Sequence, residues 1–474
     1  MSPWPDRIPL AAALALGAAT ACAPHAATMR DVRDALVHGD LAAARDRLAD
    51  AGRGTDDLLF ALEDGTVLHY AGEYDLSNQR FAFAEARVDE LYTKSITRAA
   101  LSLISSDVVL HFEPRGVEPF MVHYYRAFNY LRLGEPEEAA VEWRKLAYQL
   151  QFAGDRGDAP YLEPPFLDQL VGLALESDDP NTAYVALRRA EAVYRRVDEP
   201  APPDLVDDLM RLAYRMGSAD QLEEYRRRYG AQSPPDASDG NVGEAESGEI
   251  VVLVEDGFVA PLREVRAYLP IATDQADDLR AGDAARTRVA RALAAEYAAG
   301  HYDRVTRRWA RRPRIAYVLP VALPTFGAGL PAFSRMAVRV DEEDQPAAAW
   351  PVLQVSELQR AAFESRLTGI YVKTILRALV KYALAEEAAS KAKKEGGEGA
   401  EDAVRILANV ANIVTERADT RAWLALPDRL WMARLRVEPG EHHLVARLDD
   451  AEPMDLGIIS VGPGERRFVT ARAF

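Results

Sequence analysis

Apolar residues recur at helical spacing from about residue 29 to residue 230, and the recurrence itself repeats. Three stretches share one plan: Val37-His38-Gly39-Asp40-Leu41-Ala42-Ala43-Ala44, Tyr70-Ala71-Gly72-Glu73-Tyr74-Asp75-Leu76-Ser77, and Leu133-Gly134-Glu135-Pro136-Glu137-Glu138-Ala139. Each has a glycine, an acidic helix start and a small residue five places after the glycine. Larger apolar residues follow at common offsets, as Leu48 and Ala51, Phe81 and Ala84, Trp143 and Leu146. Glycine ends a helix because it accepts positive φ without penalty. The small residue lets the second helix close on the first, and the large one fills the groove to the next hairpin. A single hairpin cannot bury its apolar face alone, so several must stack. Weaker copies run from Asp178, with Ala183 and Leu187, and from Met216-Gly217 to Tyr229, where Arg226 takes the place of an aromatic. The pattern predicts about five helical hairpins over residues 29–230, with a generic helical bundle as the alternative.

The texture changes after residue 230. Residues 231–248, AQSPPDASDGNVGEAESG, are rich in Pro, Ser, Gly and acid, which predicts a flexible boundary. Glu249 to Val254 reads as a buried strand and Glu255-Asp256-Gly257 as a turn. A helix is expected over Asp274–Trp309, strands over Ile315–Leu323 and Ser334–Val340, and a long helix over Val355–Lys394. Leu367, Ile370, Tyr371, Thr374, Leu379 and Tyr382 share one broad face of that helix. KAKKEGGEGAED breaks it before a further helix over Ala403–Ala418. At the end, two Pro-Gly turns suggest terminal β-hairpins: Leu430–Val437 with His442–Leu448, and Leu456–Val461 with Phe468–Ala473. The fold class expected is therefore α+β and multidomain, a helical repeat region over 29–230 followed by a mixed α/β domain over 249–474.

The start of the chain changes the picture of location. Arg7 precedes the apolar run Ile8–Ala19, then Thr20, Ala21 and Cys22. That is the layout of a secretory signal, and about 12 apolar residues are too few to span a bilayer, which needs roughly 20. Ala19-Thr20-Ala21-Cys22 resembles the lipobox of bacterial lipoproteins, although the usual leucine at its first place is Ala19. This reading removes residues 1–21, acylates Cys22 and leaves 22–28 as a tether. The alternative is an ordinary signal cut near Ala21 or Ala26. Cys22 is the only cysteine, so the body has no disulfide and no thiolate metal cluster. By the same resemblance, Ala23 in place of Asp leans toward the outer membrane. The formal charge of −17 argues against nucleic acid as a general partner, because binding phosphate backbones needs clustered positive charge.

Gly39 and Gly72 lie 33 residues apart, close to the period of a tetratricopeptide repeat. Several strings look like an uncharacterised family of tetratricopeptide-like bacterial envelope lipoproteins. They are Leu62-Glu63-Asp64-Gly65-Thr66 with His69, Leu91-Tyr92-Thr93-Lys94-Ser95, Val122-His123-Tyr124-Tyr125 with Asn129-Tyr130, Gly248–Val254, Asn409–Asn412, Asp419–Trp423 with Leu426-Pro427, and Pro439–His442. The resemblance implies the architecture and the envelope location. It brings no catalytic residue with it.

Motifs for chemistry are few. There is no phosphate loop, nucleophile elbow, zinc-protease helix or EF-hand spacing. His442 and His443 are neighbours in a strand and point to opposite faces, which argues against a shared metal. His69 and His123 read as hydrogen-bonded packing residues. Glu63 and Asp64 read as helix surface or a contact within the repeat. Asp419, Arg421 and Trp423 read as a corner that holds the fold, or else as a partner contact. Tyr92, Lys94, Tyr124 and Tyr125 are further candidates for partner binding. Arg304, Arg307, Arg308, Arg311 and Arg312, around Trp309, read as a solvated helix end or as a contact with anionic lipid or an acidic protein. No cofactor and no metal are expected. The function expected is a non-catalytic scaffold, anchored through Cys22, that binds protein partners in envelope assembly, secretion or regulation of cell-wall synthesis. The other class is an enzyme or binder of an envelope polymer, with its site at the Asp419 corner or near Glu364.

Overall fold

The computed structural model describes residues 25–52, 56–94, 111–155, 163–230, 247–272, 279, 282–298, 315–341, 346–415, 417–449 and 451–474. The fold is mixed α+β. Cys22, the segment expected to be a signal (1–21), most of the acidic linker (231–246) and the arginine cluster at 304–314 lie outside the described residues.

Ten helices make five successive hairpins: α1 (His25–Val37) with α2 (Leu41–Gly52), α3 (Asp57–Tyr70) with α4 (Tyr74–Lys94), α5 (Glu118–Leu133) with α6 (Pro136–Asp155), α7 (Pro165–Leu175) with α8 (Pro180–Arg196), and α9 (Pro203–Arg215) with α10 (Ala219–Tyr229). The glycines predicted to turn the chain do so in the left-handed region, Gly39 at φ 71°, Gly72 at 75°, Gly134 at 77° and Gly217 at 68°. The small residues Ala44, Ser77, Ala139 and Ala183 are buried, as are Leu48, Phe81, Trp143 and Leu187 four places on. In the last hairpin the buried aromatic is Tyr225, one place before Arg226.

The C-terminal half adds β1 (Gly248–Asp256), β2 (Leu262–Ala272), α11 (Asp283–Ala298), β3 (Ile315–Phe326), β4 (Met336–Val340), β5 (Ala347–Ala348) and β6 (Trp350–Gln354). Then come the long α12 (Val355–Gly396), α13 (Glu398–Thr415), β7 (Arg429–Val437), β8 (Gly440–Leu448), β9 (Met454–Val461) and β10 (Arg466–Ala473). One four-stranded sheet has the order β10-β1-β7-β6 and a second β5-β4-β8-β9. The second is antiparallel throughout; in the first, β1 runs parallel to β10 and antiparallel to β7. A separate ribbon, β2 with β3, packs on α11 and on the predicted face of α12 through Leu269, Leu319, Ile375 and Leu379.

The two predicted hairpins are corrected here. β7 does not pair with β8, nor β9 with β10; each Pro-Gly turn carries the chain from one sheet to the other, and the hairpin that exists is β8 with β9. Alternation assigns a strand its faces but not its partner, and a tight turn between two alternating runs serves a corner between stacked sheets as well as a hairpin.

Both faces of β1 are buried. Ile250, Val252 and Val254 join Val338, Leu444 and Ala446 between the sheets. Val251 and Leu253 face the other way into the helical core, beside Leu430, Met432, Phe166 and Leu209. A strand covered on both faces reads as a continuous apolar run, which is what EIVVLV is.

Candidate functional site

The first helix of every hairpin gives polar contacts to the C-terminal half. Arg33 on α1 donates from Nε to Leu424 O at 2.8 Å and from Nη2 to Val259 O at 2.8 Å, with its guanidinium over Phe258. Burial lowers its pKa to about 10, so it keeps its charge at neutral pH. Glu63 on α3 is fully buried and accepts from Leu424 N and Ala425 N, both at 2.7 Å; His25 Nε2 lies 3.0 Å from it. Trp423 donates from its main chain to Glu118 Oε1 at 3.0 Å and from Nε1 to Thr66 Oγ1 at 2.9 Å. Tyr70 donates to Ala425 O at 3.0 Å and Tyr125 to Glu255 Oε2 at 3.2 Å. Residues 423–425 are therefore a buried segment with no strand partner among the described residues, whose main-chain groups are met by helix side chains instead.

Farther along, α7 and α9 meet the sheet through charge. Arg434 on β7 donates to Asp208 at 2.7 and 3.0 Å and to Glu249 at 2.7 Å, and lies 3.5 Å from Asp204. Arg466 on β10 donates to Glu249 at 2.6 Å, Glu176 at 2.9 Å and Leu173 O at 2.8 Å. Burial opposes the charge on Glu176, but Arg211 and Arg466 outweigh it and hold the carboxyl down at about 2.

Against Glu118 and Trp423 lies a cleft of about 540 Å³. Its walls are residues 111–118, the ends of β2 and β3, one side of α12 and residues 417–423. Arg421 grips Asp419 in a bidentate pair, at 2.9 and 2.8 Å, and reaches 3.7 Å from Asp56. Asp56 caps α3 by accepting from Leu58 N and also accepts from Phe112 N at 2.8 Å. Asp56, Asp57 and His111 cluster closely enough for three metal ligands, but the oxygens of Asp56 already serve these caps. Glu118 is buried against the cleft and accepts from Trp423 N and Arg115 N; burial dominates and pushes its pKa up to about 7.

Of the residues singled out in the sequence, Asp419 and Arg421 line the cleft and form the expected corner. Trp423 seals its inner wall with no exposure. Tyr124 and Tyr125 are also wholly buried, Tyr125 stacked on Phe81 at 5.6 Å, so as candidate partner contacts these two and Trp423 are corrected. What they contact is the rest of this chain. Tyr92 and Lys94 end α4, and their side chains lie outside the described residues. Arg304, Arg307, Arg308, Arg311 and Arg312 lie outside them as well. His69 lies 2.6 Å from Asn129 Oδ1 and His123 2.7 Å from Glu142, the packing roles expected. His442 pairs with Asp341 and His443 with Asp455, on separate partners. Glu364 is exposed on α12 between Phe363 and Ser365, which line the cleft. Sequence reasoning missed Glu118, and read Glu63 as helix surface or a contact within the repeat, not as a clamp on the C-terminal half. An acid inside an otherwise apolar helix stretch, Leu58–Leu68, was the available signal.

No family model matches the chain, and no curated protein does. Among solved structures, the apo form of RapI aligns with 11% identity over 82% of this chain and 95% of that one, at a TM-score of 0.30. That level of likeness carries no argument about fold or function.

Proposed function

We propose that this protein is a non-catalytic scaffold of the bacterial envelope, held to the membrane by lipid on Cys22 and binding proteins through tetratricopeptide-like repeats. The observation that carries the reading is the division of labour between the two helices of each of the three middle hairpins, α3–α4, α5–α6 and α7–α8. The first helices α1, α3, α5, α7 and α9 are occupied by the chain's own C-terminal half. The second helices keep apolar residues exposed, among them Phe83 on α4, Val141, Tyr148 and Phe152 on α6, and Val185 on α8. Tyr148 and Phe152 lie together, their rings 4.5 Å apart. The repeats thus have an inner face engaged within the molecule and an outer face left for others. Lipoprotein maturation and an outer-membrane location rest on the lipobox-like run Ala19–Cys22 and on Ala23. Protein partners in envelope assembly, secretion or control of cell-wall synthesis fit a scaffold so placed.

The test is cross-linking of the full-length protein in intact envelopes, followed by identification of what is retained. Proteins held reproducibly and lost with Tyr148→Glu and Phe152→Ser support the scaffold. Glycan fragments without protein would replace it with the polymer-binding or hydrolytic reading, which the cleft at the Asp419 corner favours.

A further inference from the structure

The cleft carries more cations than acids, in a chain that is acidic overall. Five cationic side chains line it: Arg115, Arg366, Lys373, Arg417 and Arg421. Three acids do, and each is engaged: Asp419 by Arg421, Glu113 by Arg115 at 3.4 Å, and Glu118 by two main-chain N–H groups. Arg366 and Arg417 are exposed and make no ion pair among the described residues. The remaining wall mixes polar His111, Gln359, Ser365 and Thr374 with an apolar patch that includes Phe112, Phe326, Phe363 and Ile370, in which Phe326 and Phe363 are 6.0 Å apart. Its volume lies within the roughly 300–1,000 Å³ of small-molecule sites, too small for a protein segment of any length.

We propose that this cleft binds a single-chain anionic amphiphile, with its acid head on Arg366 and Arg417 and its apolar body against Phe112, Phe326 and Phe363. A planar guanidinium pairs with a carboxylate or a phosphate through two parallel hydrogen bonds, and two such groups lining one cleft favour an anion there. An apolar wall beside them is stable in water only while small, and burying a chain against it gains about 0.8 kcal/mol per methylene. The membrane lies within reach of this site in one further respect, which alone rests on the lipid reading of Cys22. His25 Nε2 meets Ala422 O on the cleft wall at 3.1 Å. The three-residue step from Cys22 to His25 spans at most about 11 Å.

Gly369 makes a clean test possible. It lines the cleft from the middle of α12, and a Cβ there meets nothing within 4 Å. Gly369→Leu fills the cleft while improving a helix position, so the fold is kept. The probes are oleate, its neutral counterpart oleyl alcohol, and dansylaminoundecanoic acid as the fluorescent reporter, with the full chain carrying Cys22→Ala. The proposal expects saturable reporter binding, displacement by oleate at least tenfold better than by the alcohol, and at least tenfold weaker binding by the double variant Arg366→Glu, Arg417→Glu. It expects loss of binding by Gly369→Leu at an unchanged or raised Tm. Equal binding by all variants, no binding by the parent chain, or equal displacement by the alcohol would overturn it. Two arms distinguish the sources of the same chemistry. Flotation with vesicles containing lysophosphatidylglycerol that Gly369→Leu abolishes points to a membrane lipid, whereas displacement by oleate without flotation points to a free acid. Failure of the envelope cross-linking leaves these binding curves untouched, so the two proposals fall separately.

Discussion

Glu63 and Glu118 are two buried carboxylates that each accept from main-chain donors of the segment 423–425. Glu63 closes two main-chain donors at once, Leu424 N and Ala425 N. Glu63→Gln presents an amide N–H₂ to one of them, and leaving a buried donor unsatisfied costs about 1–3 kcal/mol. Thermal unfolding should show that loss, together with faster proteolysis within residues 417–428; a variant as stable as the parent refutes the clamp. Glu118 has its carboxyl raised from 4.5 to about 7 by burial. Below pH 4.5 it is neutral in both folded and unfolded chains and costs nothing. As pH rises to 7 the unfolded chain gives up the proton first, so stability falls across that window and is level above it. Subtracting denaturation curves of Glu118→Gln from those of the parent should give a difference that slopes between pH 4.5 and 7. A flat difference would mean that the parent carboxylate is ionised throughout. Glu176, held at about 2, has the contrary sign: its contribution is present above 4.5 and is lost as pH drops toward 2. None of these roles was legible in sequence, because the groups that Glu63 and Glu118 serve lie 361 and 305 residues away.

Elements were far more legible than their partners. The hairpins of the first half could be read because each is closed locally, by a positive-φ glycine, a small residue and a large one within a dozen positions. Glycines inside helices divide into two kinds, and the division is testable. A Cβ on Gly172 of α7 would meet Leu187 Cδ2 at 2.4 Å, so Gly172→Ala should force α8 outward and cost about 1–3 kcal/mol. Gly369→Ala meets nothing and should stabilise by about 0.5–1 kcal/mol. Opposite shifts in apparent Tm check the pair; a gain at Gly172 would show that the hairpin is looser than it looks. The strands were legible as strands, β1 above all, yet their pairing was not. Pro439-Gly440 and Pro463-Gly464 are read from local chemistry as hairpin turns, and only the packing of β7 against β4 and β8 across the sandwich core makes them corners. β2 was missed because Glu264 and Arg266 charge its outer face and Arg263 interrupts the inner one, and a lone ribbon needs only one apolar side. The cleft was half legible: Asp419 and Arg421 mark its rim, while Arg366 on a helix and Arg115 in a loop show no sequence relation to them.

At the scale of the molecule, the helical hairpins and the sandwich share one continuous apolar core, in which Val251, Leu253 and Trp423 sit among residues of α3, α5 and α7. Cutting the chain between residues 231 and 246 should therefore leave both pieces together in gel filtration, to part only on denaturation; separation in native buffer would contradict a shared core. Arg434 is the charge at the centre of that junction. Arg434→Met removes the one cation shared by Asp204, Asp208 and Glu249, leaving Asp208 to Arg211 and Glu249 to Arg466; it should cost up to about 3–5 kcal/mol, the usual range for breaking a buried pair, and favour dissociation of the cut pieces. Continuity of this kind also has a history in time. The two strands that flank β1 come late in the chain, with Arg434 and Arg466 lying 185 and 217 residues beyond Glu249. A ribosome that has completed the hairpins and β1 has made two sticky surfaces, the inner helical face and an apolar strand, neither of which can be covered until more than a third of the chain has followed. Long-range pairing of this order slows folding and lengthens exposure to aggregation. In the interval between the synthesis of β1 and that of β10, those two surfaces are the ones a holding chaperone would have to cover.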